Sequence, residues 1–144
     1  EGDIRHLGHR SSAVVCHPDF AASFGDDLKV QTLAAHAVQI IGSESDWSQL
    51  SAHFGLDLPP VAGVIKADSS LMALQIVSSG TGAAIISESF SKDYFERGVL
   101  VSPFDYQLPL TRSFFLVLRD SGQKRHEVTL FCEWLSDLHR RQSL

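Results

Sequence analysis

Short apolar runs alternate with segments of helical periodicity along almost the whole chain. The runs Ser12–His17, Ala37–Ile41, Val61–Lys66 and Ser113–Leu118 are rich in β-branched and aromatic residues and predict buried strands. Over Asp46–Phe54, apolar residues at helical spacing end before a glycine, which predicts a helix. Strands that alternate with helices form layered α/β folds, because parallel strands require such crossovers. The pattern therefore predicts an α/β domain with a largely parallel, open sheet.

Two glycines one residue apart, within Ile76–Ser87, suggest at first a phosphate-binding loop. Such a loop follows a strand and opens a helix, so that the helix N-terminus faces the anion. Here the order is reversed, because a helix predicted over Leu71–Ser78 comes first and the apolar run Ala83–Ile86 follows the glycines. We therefore interpret Gly80 as a helix-terminating residue with positive φ and Gly82 as a point of close backbone packing.

The composition limits the classes of function. The chain has 144 residues, 44% of them apolar, and a formal net charge of −5 without a basic block, which disfavours a stand-alone nucleic-acid-binding surface. Cys16 and Cys132 lie far apart in apolar contexts, so we expect two reduced, buried thiols in a cytoplasmic protein. No apolar stretch reaches membrane-spanning length, and we expect no membrane partner. Residues 1–10 contain no predicted element, and the chain reads as a piece of a longer protein.

The sequence contains no convincing motif for reactive chemistry. The seven histidines follow no ligand spacing, and their one close pair, His6 and His9, lies near the terminus, so we expect no metal site. The G-x-S-x-G motif that would indicate a hydrolase is absent. The paired carboxylates Asp26 and Asp27 are explained by a polar turn. We therefore expect neither catalytic residues nor a cofactor.

Polar residues gather instead at the predicted C-terminal ends of strands, the edge at which open α/β sheets bind ligands. Ser43 follows the second strand, and Ser87 ends the apolar run Ala83–Ile86, the fourth predicted strand along the chain. Asp68, Ser69 and Ser70 follow the third strand and open a helix. Free backbone N–H groups at a helix start, with hydroxyls beside them, suit a carboxylate or amide ligand. The alternative is that these residues only cap helices, and the sequence leaves both interpretations open.

With its elements in this order, the chain resembles the effector-binding domain of LysR-type transcriptional regulators, in the branch of the glycine-cleavage and β-lactamase regulators. The resemblance covers essentially the whole chain. It is carried by five segments in matching order: VVCHPDFAAS, AVQIIGSESDWSQLSAHFG, IKADSSLMALQIVSSGTGAAIISESF, GVLVSPFDYQLPLTRSFFLVLRD and VTLFCEWLSDL. It implies a three-layer, Rossmann-like open sheet similar to type-2 periplasmic binding proteins, with residues 12–120 as subdomain II. Residues 1–11 and 121–144 would be remnants of subdomain I, its hinge end and its C-terminal helix.

The sequence departs from the family pattern in three ways. The winged helix-turn-helix and linker helix are absent, in agreement with the missing basic surface, and so is the first half of subdomain I. Ser87 stands where the family usually has proline, which changes the expected shape of the cleft. The final helix is then expected to expose an apolar stripe of Phe131, Trp134 and Leu135, through which the chain would self-associate.

The resemblance implies a sensor without catalytic activity. A small-molecule effector would bind between two subdomains and shift a homodimer or homotetramer between arrangements that hold promoter DNA differently, through the missing DNA-binding domain. Ser69 and Ser70 would hydrogen-bond the effector, with Ser43 a weaker candidate. Phe114 falls where a relative in this branch carries a pocket aromatic with a hydroxyl; the alternative is an ordinary core phenylalanine in a strand.

Two other classes of protein are alternatives to the regulator. A lobe of a transport-type solute-binding protein has the same two-lobed architecture but would need a secretory signal. The absence of a metal-ligand spacing and of the G-x-S-x-G motif disfavours a small α/β enzyme. A helix-turn-helix encoded upstream of Glu1 would indicate a regulator, and a signal peptide there would indicate a transporter component.

Overall fold

A computed structural model describes residues 2–7, 10–60, 64–111, 114–119 and 125–142. The chain divides into two compact units. We call Ser11–Leu110 the inserted unit, and Glu1–Arg10 together with Thr111–Leu144 the terminal unit. Their assignment to subdomains II and I of the family stays a prediction.

Seven strands and six α-helices are found among the described residues. The strands are β1 (Gly2–His6), β2 (Ser11–Cys16), β3 (Ala37–Ile40), β4 (Ile65–Ala67), β5 (Ala83–Ser87), β6 (Gln107–Pro109) and β7 (Phe115–Arg119). The helices are α1 (Pro18–Ala22), α2 (Val30–Ala34), α3 (Trp47–Phe54), α4 (Ser70–Ser78), α5 (Glu88–Glu96) and α6 (His126–Gln142), with a short 3-10 turn at Gly25–Asp27. Most predicted elements are confirmed, although residues 61–63 and Ser113, at the starts of two predicted strands, lie outside the described residues.

The inserted unit has a five-stranded sheet in the order β4-β3-β5-β2-β6. Strand β3 runs parallel to β4 and β5, whereas β2 runs antiparallel to β5 and β6. The prediction of a largely parallel sheet is therefore correct for β3, β4, β5 and β6, which run in one direction, and wrong for β2, which runs against them and makes the sheet mixed. Alternation with helices predicts strands of one direction, and it does not reveal that β2 runs against β3 although α1 and α2 lie between them. As a result, β2 begins and β6 ends at the C-terminal edge of the parallel strands.

Helices cover both faces of this sheet and give the unit three layers. Helices α1, α2 and α3 pack with Val14 of β2 on one face, and α4 and α5 pack with Val15 on the other. Both valines are 0% exposed, because successive strand side chains point to opposite faces. The sheet is thus buried on both sides, and its free surface for a ligand lies at its ends.

The glycine pair ends a helix and enters a strand, as predicted. Gly80 and Gly82 have φ of 87° and 71°, a conformation that disfavours other residues. A Cβ at Gly82 would lie 2.5 Å from the carbonyl oxygen of His36. The pair therefore lets α4 turn sharply and lets β5 approach the backbone that leads into β3.

The terminal unit contains a two-stranded antiparallel sheet of β1 and β7, together with helix α6. The prediction that residues 1–10 hold no element is wrong, because Gly2–His6 forms β1. This strand has a single strongly apolar residue, Ile4, so its pairing depends on a partner more than a hundred residues away, which local patterns do not reveal.

Two further predictions concern the cysteines and membranes. Cys16 and Cys132 are both free and buried, and burial raises the pKa of Cys16 to about 11. Within the described residues, no helix combines the length and apolar character that crossing a bilayer requires.

Candidate functional site

The C-terminal ends of β4, β3 and β5 form one continuous edge, which we call the ligand edge. The backbone N–H of Ile41 donates to the carbonyl of Ala67 over 2.9 Å, so the β3–β4 ladder extends to the last residues before the turns. Neighbouring strands lie about 4.8 Å apart. The turn after β3, which carries Ser43, is therefore close to the start of α4, which carries Ser69 and Ser70.

Ser69 is the N-cap of α4, and its hydroxyl is engaged within the protein. Its Oγ accepts from the backbone N–H of Met72 at 3.3 Å and donates to Oδ1 of Asp68 at 2.9 Å. A hydroxyl has one proton to donate, and this one is used. The capping interpretation accounts for Ser69, and its contact with an effector stays a prediction.

Ser70, the first residue of α4, presents unused donors. Its half-buried hydroxyl has no hydrogen-bond partner in the part of the chain that the structure describes. The backbone N–H groups of Ser70 and Leu71 belong to the first turn, where no helical acceptor exists. Because backbone N–H groups and the helix dipole favour negative charge there, this point of the ligand edge can bind a carboxylate.

Ser43 presents a second donor on the neighbouring strand end. Its Oγ accepts from the backbone N–H of Ser45 at 3.1 Å, and among the described residues no acceptor takes the hydroxyl proton. The side chain is half-buried. The oxygen of Ser43 is therefore held by the Ser45 N–H, its proton is available to a further acceptor, and its contact with an effector stays a prediction.

Ser87 ends β5 and lies opposite Ser12 of β2 in the antiparallel register. Its Oγ lies 3.0 Å from Oγ of Ser89, so its hydroxyl is shared with a neighbour. Ser12 is 1% exposed and donates to Oγ of Ser45 at 3.0 Å; Ser45 is 6% exposed. Sequence reasoning missed Ser12 and Ser45, although a serine that opens an apolar strand was a usable signal.

The ligand edge is acidic. Its turns contain Glu44, Asp46, Asp68 and Glu88, and the segments 11–12, 41–46, 68–70 and 87–89 contain no Lys or Arg. Asp46 caps α3 by accepting from the backbone N–H of Gln49 at 2.8 Å. Within the described residues, no group of His, Cys, Asp and Glu could hold a metal ion. The surrounding charge favours a cationic group on the ligand.

Phe114 belongs to the terminal unit and lies just before β7. Its side chain is 54% exposed, and the guanidinium carbon of Arg10 lies 4.5 Å from the ring centroid. The alternative of an ordinary core phenylalanine is therefore wrong, because the ring is solvent-exposed and stacked under a cation. Its contact with an effector stays a prediction.

Comparison with known proteins places these features in a family. The model of the LysR substrate binding domain matches residues 1–140. The glycine cleavage system transcriptional activator of Escherichia coli K12 is 29% identical over 105 residues, which are 73% of this chain and 34% of that protein. The HTH-type transcriptional activator AmpR of Rhodobacter capsulatus is 26% identical over 92 residues, 64% of this chain and 31% of that protein. The chain thus spans about a third of the length of these curated relatives.

Solved structures agree on the fold. The effector domain of AmpR from Pseudomonas aeruginosa superposes with a TM-score of 0.76 at 20% identity, covering 98% of this chain and 67% of that one. Full-length LysG from Corynebacterium glutamicum with bound effector Arg gives 0.64 at 14% identity, covering 97% and 46%. The family model and the curated relatives support the regulator interpretation and not a transport lobe. The three-layer unit, its hydroxyl-bearing edge and the family match over nearly the whole chain lead to one conclusion: the chain belongs to the LysR substrate binding domain family.

Proposed function

We propose that this chain is the effector-sensing domain of a LysR-type transcriptional regulator, and that its effector is an amino acid or a short peptide bound at the ligand edge. The observation that carries the proposal is the combination of free donors at Ser43 and Ser70 with carboxylates in the same turns. The family match supports the sensing role, and the local chemistry supports the ligand class.

The carboxylate of the ligand is bound by the start of α4. The two free N–H groups of the first turn and the Ser70 hydroxyl supply three donors, and Ser43 supplies a fourth from the adjacent strand end. Hydrogen bonds to a charged acceptor contribute about 1.5–3 kcal/mol each. Four donors on the turns that follow two neighbouring strands are enough to bind and orient one small carboxylate.

The ammonium group of the ligand is bound by the acidic turns. A purely anionic ligand would be repelled by Asp68, which directly precedes the donors, whereas a zwitterion presents its positive charge to it. Two similar proteins are connected with amino acids: one is a transcriptional activator of the glycine cleavage system, and the other, LysG, has Arg as its bound effector. Both facts support an effector with an amino and a carboxylate group.

The wider role follows from the family. Promoter DNA would be bound by a winged helix-turn-helix outside these 144 residues, in a cytoplasmic homodimer or homotetramer. The effector acts by its differential affinity for two arrangements of that assembly. The relatives are regulators, and the proposal assigns no bond-making or bond-breaking step to the ligand edge.

Matched probes test the ligand class. Thermal shift of the chain is measured with the twenty amino acids, and then with L-alanine, propionate and ethylamine as a set that separates carboxylate from ammonium. We expect at least one amino acid to raise the Tm and neither half-molecule to do so at equal concentration. Stabilisation by simple carboxylates alone would contradict the zwitterion, and no response to any amino acid would contradict the proposed ligand class.

Single hydroxyl deletions then locate the site. Ser70→Ala should weaken binding of the amino acid that responds by roughly tenfold, with little change in Tm, because its hydroxyl has no other partner. Ser69→Ala should lower stability by about 1 kcal/mol, because it removes a helix cap. Thr81→Ala is the control and should change neither quantity, because Thr81 is exposed, lies just before β5 at the opposite end of the sheet, and has a hydroxyl contact of only 3.4 Å, with Ser79. Equal affinities of Ser70→Ala and Thr81→Ala would rule out the site at α4.

A further inference from the structure

We infer that Ser12 and Ser45 are positioning residues: their buried hydrogen bond fixes the turn at residues 41–46 to strand β2 and so holds the Ser43 hydroxyl ready for the ligand. The claim that this hydrogen bond orders the turn does not depend on the ligand. The claim that the ordered turn aids binding rests on the proposed function.

The pair lies where the sheet face meets the ligand edge. Ser12 alternates with Val14 along β2 and lies opposite Leu108 of β6, so its side chain shares the face that α3 covers. Ser45 comes two residues before α3, in the turn that leads from β3. The hydroxyl of Ser12 donates to that of Ser45 at 3.0 Å, across the intervening strand β5.

The burial of both hydroxyls makes this contact energetically important. Ser12 is 1% exposed and Ser45 is 6% exposed, so water does not replace the bond when it breaks. A buried polar group left without a partner is costly, which makes the turn and the strand mutually dependent. Alanine would fill the strand position equally well if packing alone mattered. The two serines are therefore explained by the hydrogen bond between them, which we call the fastening.

The fastening continues to the candidate ligand donor. The backbone N–H of Ser45 donates to Oγ of Ser43 at 3.1 Å, so fixing Ser45 also fixes the oxygen of Ser43. At its other end the chain of contacts reaches β2 one residue after the inserted unit begins at Ser11. Occupancy of the ligand edge is thereby linked to the strand through which the chain enters this unit.

Hydrogen–deuterium exchange of the intact chain tests the inference without any ligand. In Ser12→Ala, the amides of residues 41–46 should exchange about five to ten times faster, as expected for loss of one buried hydrogen bond. Ser91→Ala is the matched control, because Ser91 is 0% exposed and its hydroxyl contacts only backbone carbonyls at 3.4 Å. Equal exchange of this turn in both variants would overturn the inference.

A double-mutant comparison separates a specific pair from general loosening. Ser12→Ala with Ser45→Ala should exchange no faster in the turn than either single variant, because the two changes remove the same bond. Ser45→Thr keeps the hydroxyl and should restore slow exchange. Additive effects of the two alanine variants, or no difference between Ser45→Thr and Ser45→Ala, would show that the serines act separately.

Binding of the amino-acid panel then connects the pair to the site. Ser12→Ala should weaken binding of the responding amino acid several-fold, because Ser43 is then held less firmly. If exchange changes as expected and no amino acid binds, the proposed ligand fails and the fastening stands. If an amino acid binds Ser12→Ala as tightly as the unaltered chain, with unchanged exchange, the fastening fails and the proposed function stands.

Discussion

The two units of this chain differ in how much of their apolar surface they bury. In the inserted unit, helices cover both faces of a five-stranded sheet, and Trp47 is 2% exposed. In the terminal unit, Ile4 and Val117 face each other across a two-stranded sheet and are both 64% exposed. On α6, Phe131 and Trp134 are 55% and 56% exposed.

The difference shows where the stability of the chain originates. A two-stranded sheet is marginal by itself, because it buries too little apolar surface to offset the entropy of ordering. The five-stranded sheet buries two cores and meets that cost. We therefore expect the inserted unit to dominate the free energy of unfolding, while self-association through the exposed side chains of α6 stays a prediction.

The two tryptophans give the largest expected effect. Trp47→Ala should lower the free energy of unfolding by about 3–5 kcal/mol, because it leaves a cavity under α3. Trp134→Ala should change it by less than about 0.5 kcal/mol, because the side chain is exposed. Trp47→Phe should cost much less than Trp47→Ala, since the lost indole N–H has no partner among the described residues. Denaturant unfolding followed by far-UV circular dichroism measures all three, and equal losses at both tryptophans would contradict the comparison.

Two glycines with the same backbone conformation extend the comparison of crowded and open positions to the inserted unit alone. Gly98 has φ of 67° with open space around it, so Gly98→Ala should cost roughly 1 kcal/mol of backbone strain. Gly82 has φ of 71° and faces the His36 carbonyl, so Gly82→Ala should cost clearly more. The difference between the two variants in the free energy of unfolding isolates the close approach of β5 to its neighbour. Equal values would show that the backbone shifts to make room.

A histidine in the terminal unit gives the smallest effect. Burial, and then the charge of Arg10, lower the pKa of His139 below its ordinary value of 6.5, and an Arg10 Nη2 atom lies 2.8 Å from His139 Nε2. The fold favours neutral His139, so its contribution to stability is complete above the unfolded pKa. That contribution is lost as the pH falls through the folded value. Arg10→Gln should raise this pKa towards 6.5 in an NMR titration, and an unchanged value would leave burial as the cause.

The features that sequence reasoning predicted well are those set by neighbours along the chain. Ser69 near the start of α4, Gly80 at its end and Gly55 at the end of α3 all depend on residues within one or two helical turns. Caps and positive-φ glycines carry their own physical reasons, so a pattern of a few residues is sufficient.

The features that it missed depend on distant partners. Strand β1 pairs with β7, and β2 runs antiparallel to β5 and β6, which all come much later in the chain. The hydrogen bond between Ser12 and Ser45 joins residues 33 positions apart. The exposure of Phe114 likewise depends on what surrounds it in space. No local periodicity contains this information.

Ser11 and Pro109 are register partners on β2 and β6, so the two ends of the inserted unit lie side by side. Directly opposed residues in antiparallel strands lie about 5 Å apart at their Cα atoms. A two- to four-residue turn is thus long enough to join the ends of this unit, and new termini could be opened in an exposed loop such as the one after α5. A circular permutant of residues 11–110 would then keep every strand neighbour while the order of the strands along the chain changes. Because the two ends of the unit are adjacent, recombination could also insert the whole unit into one loop of another protein.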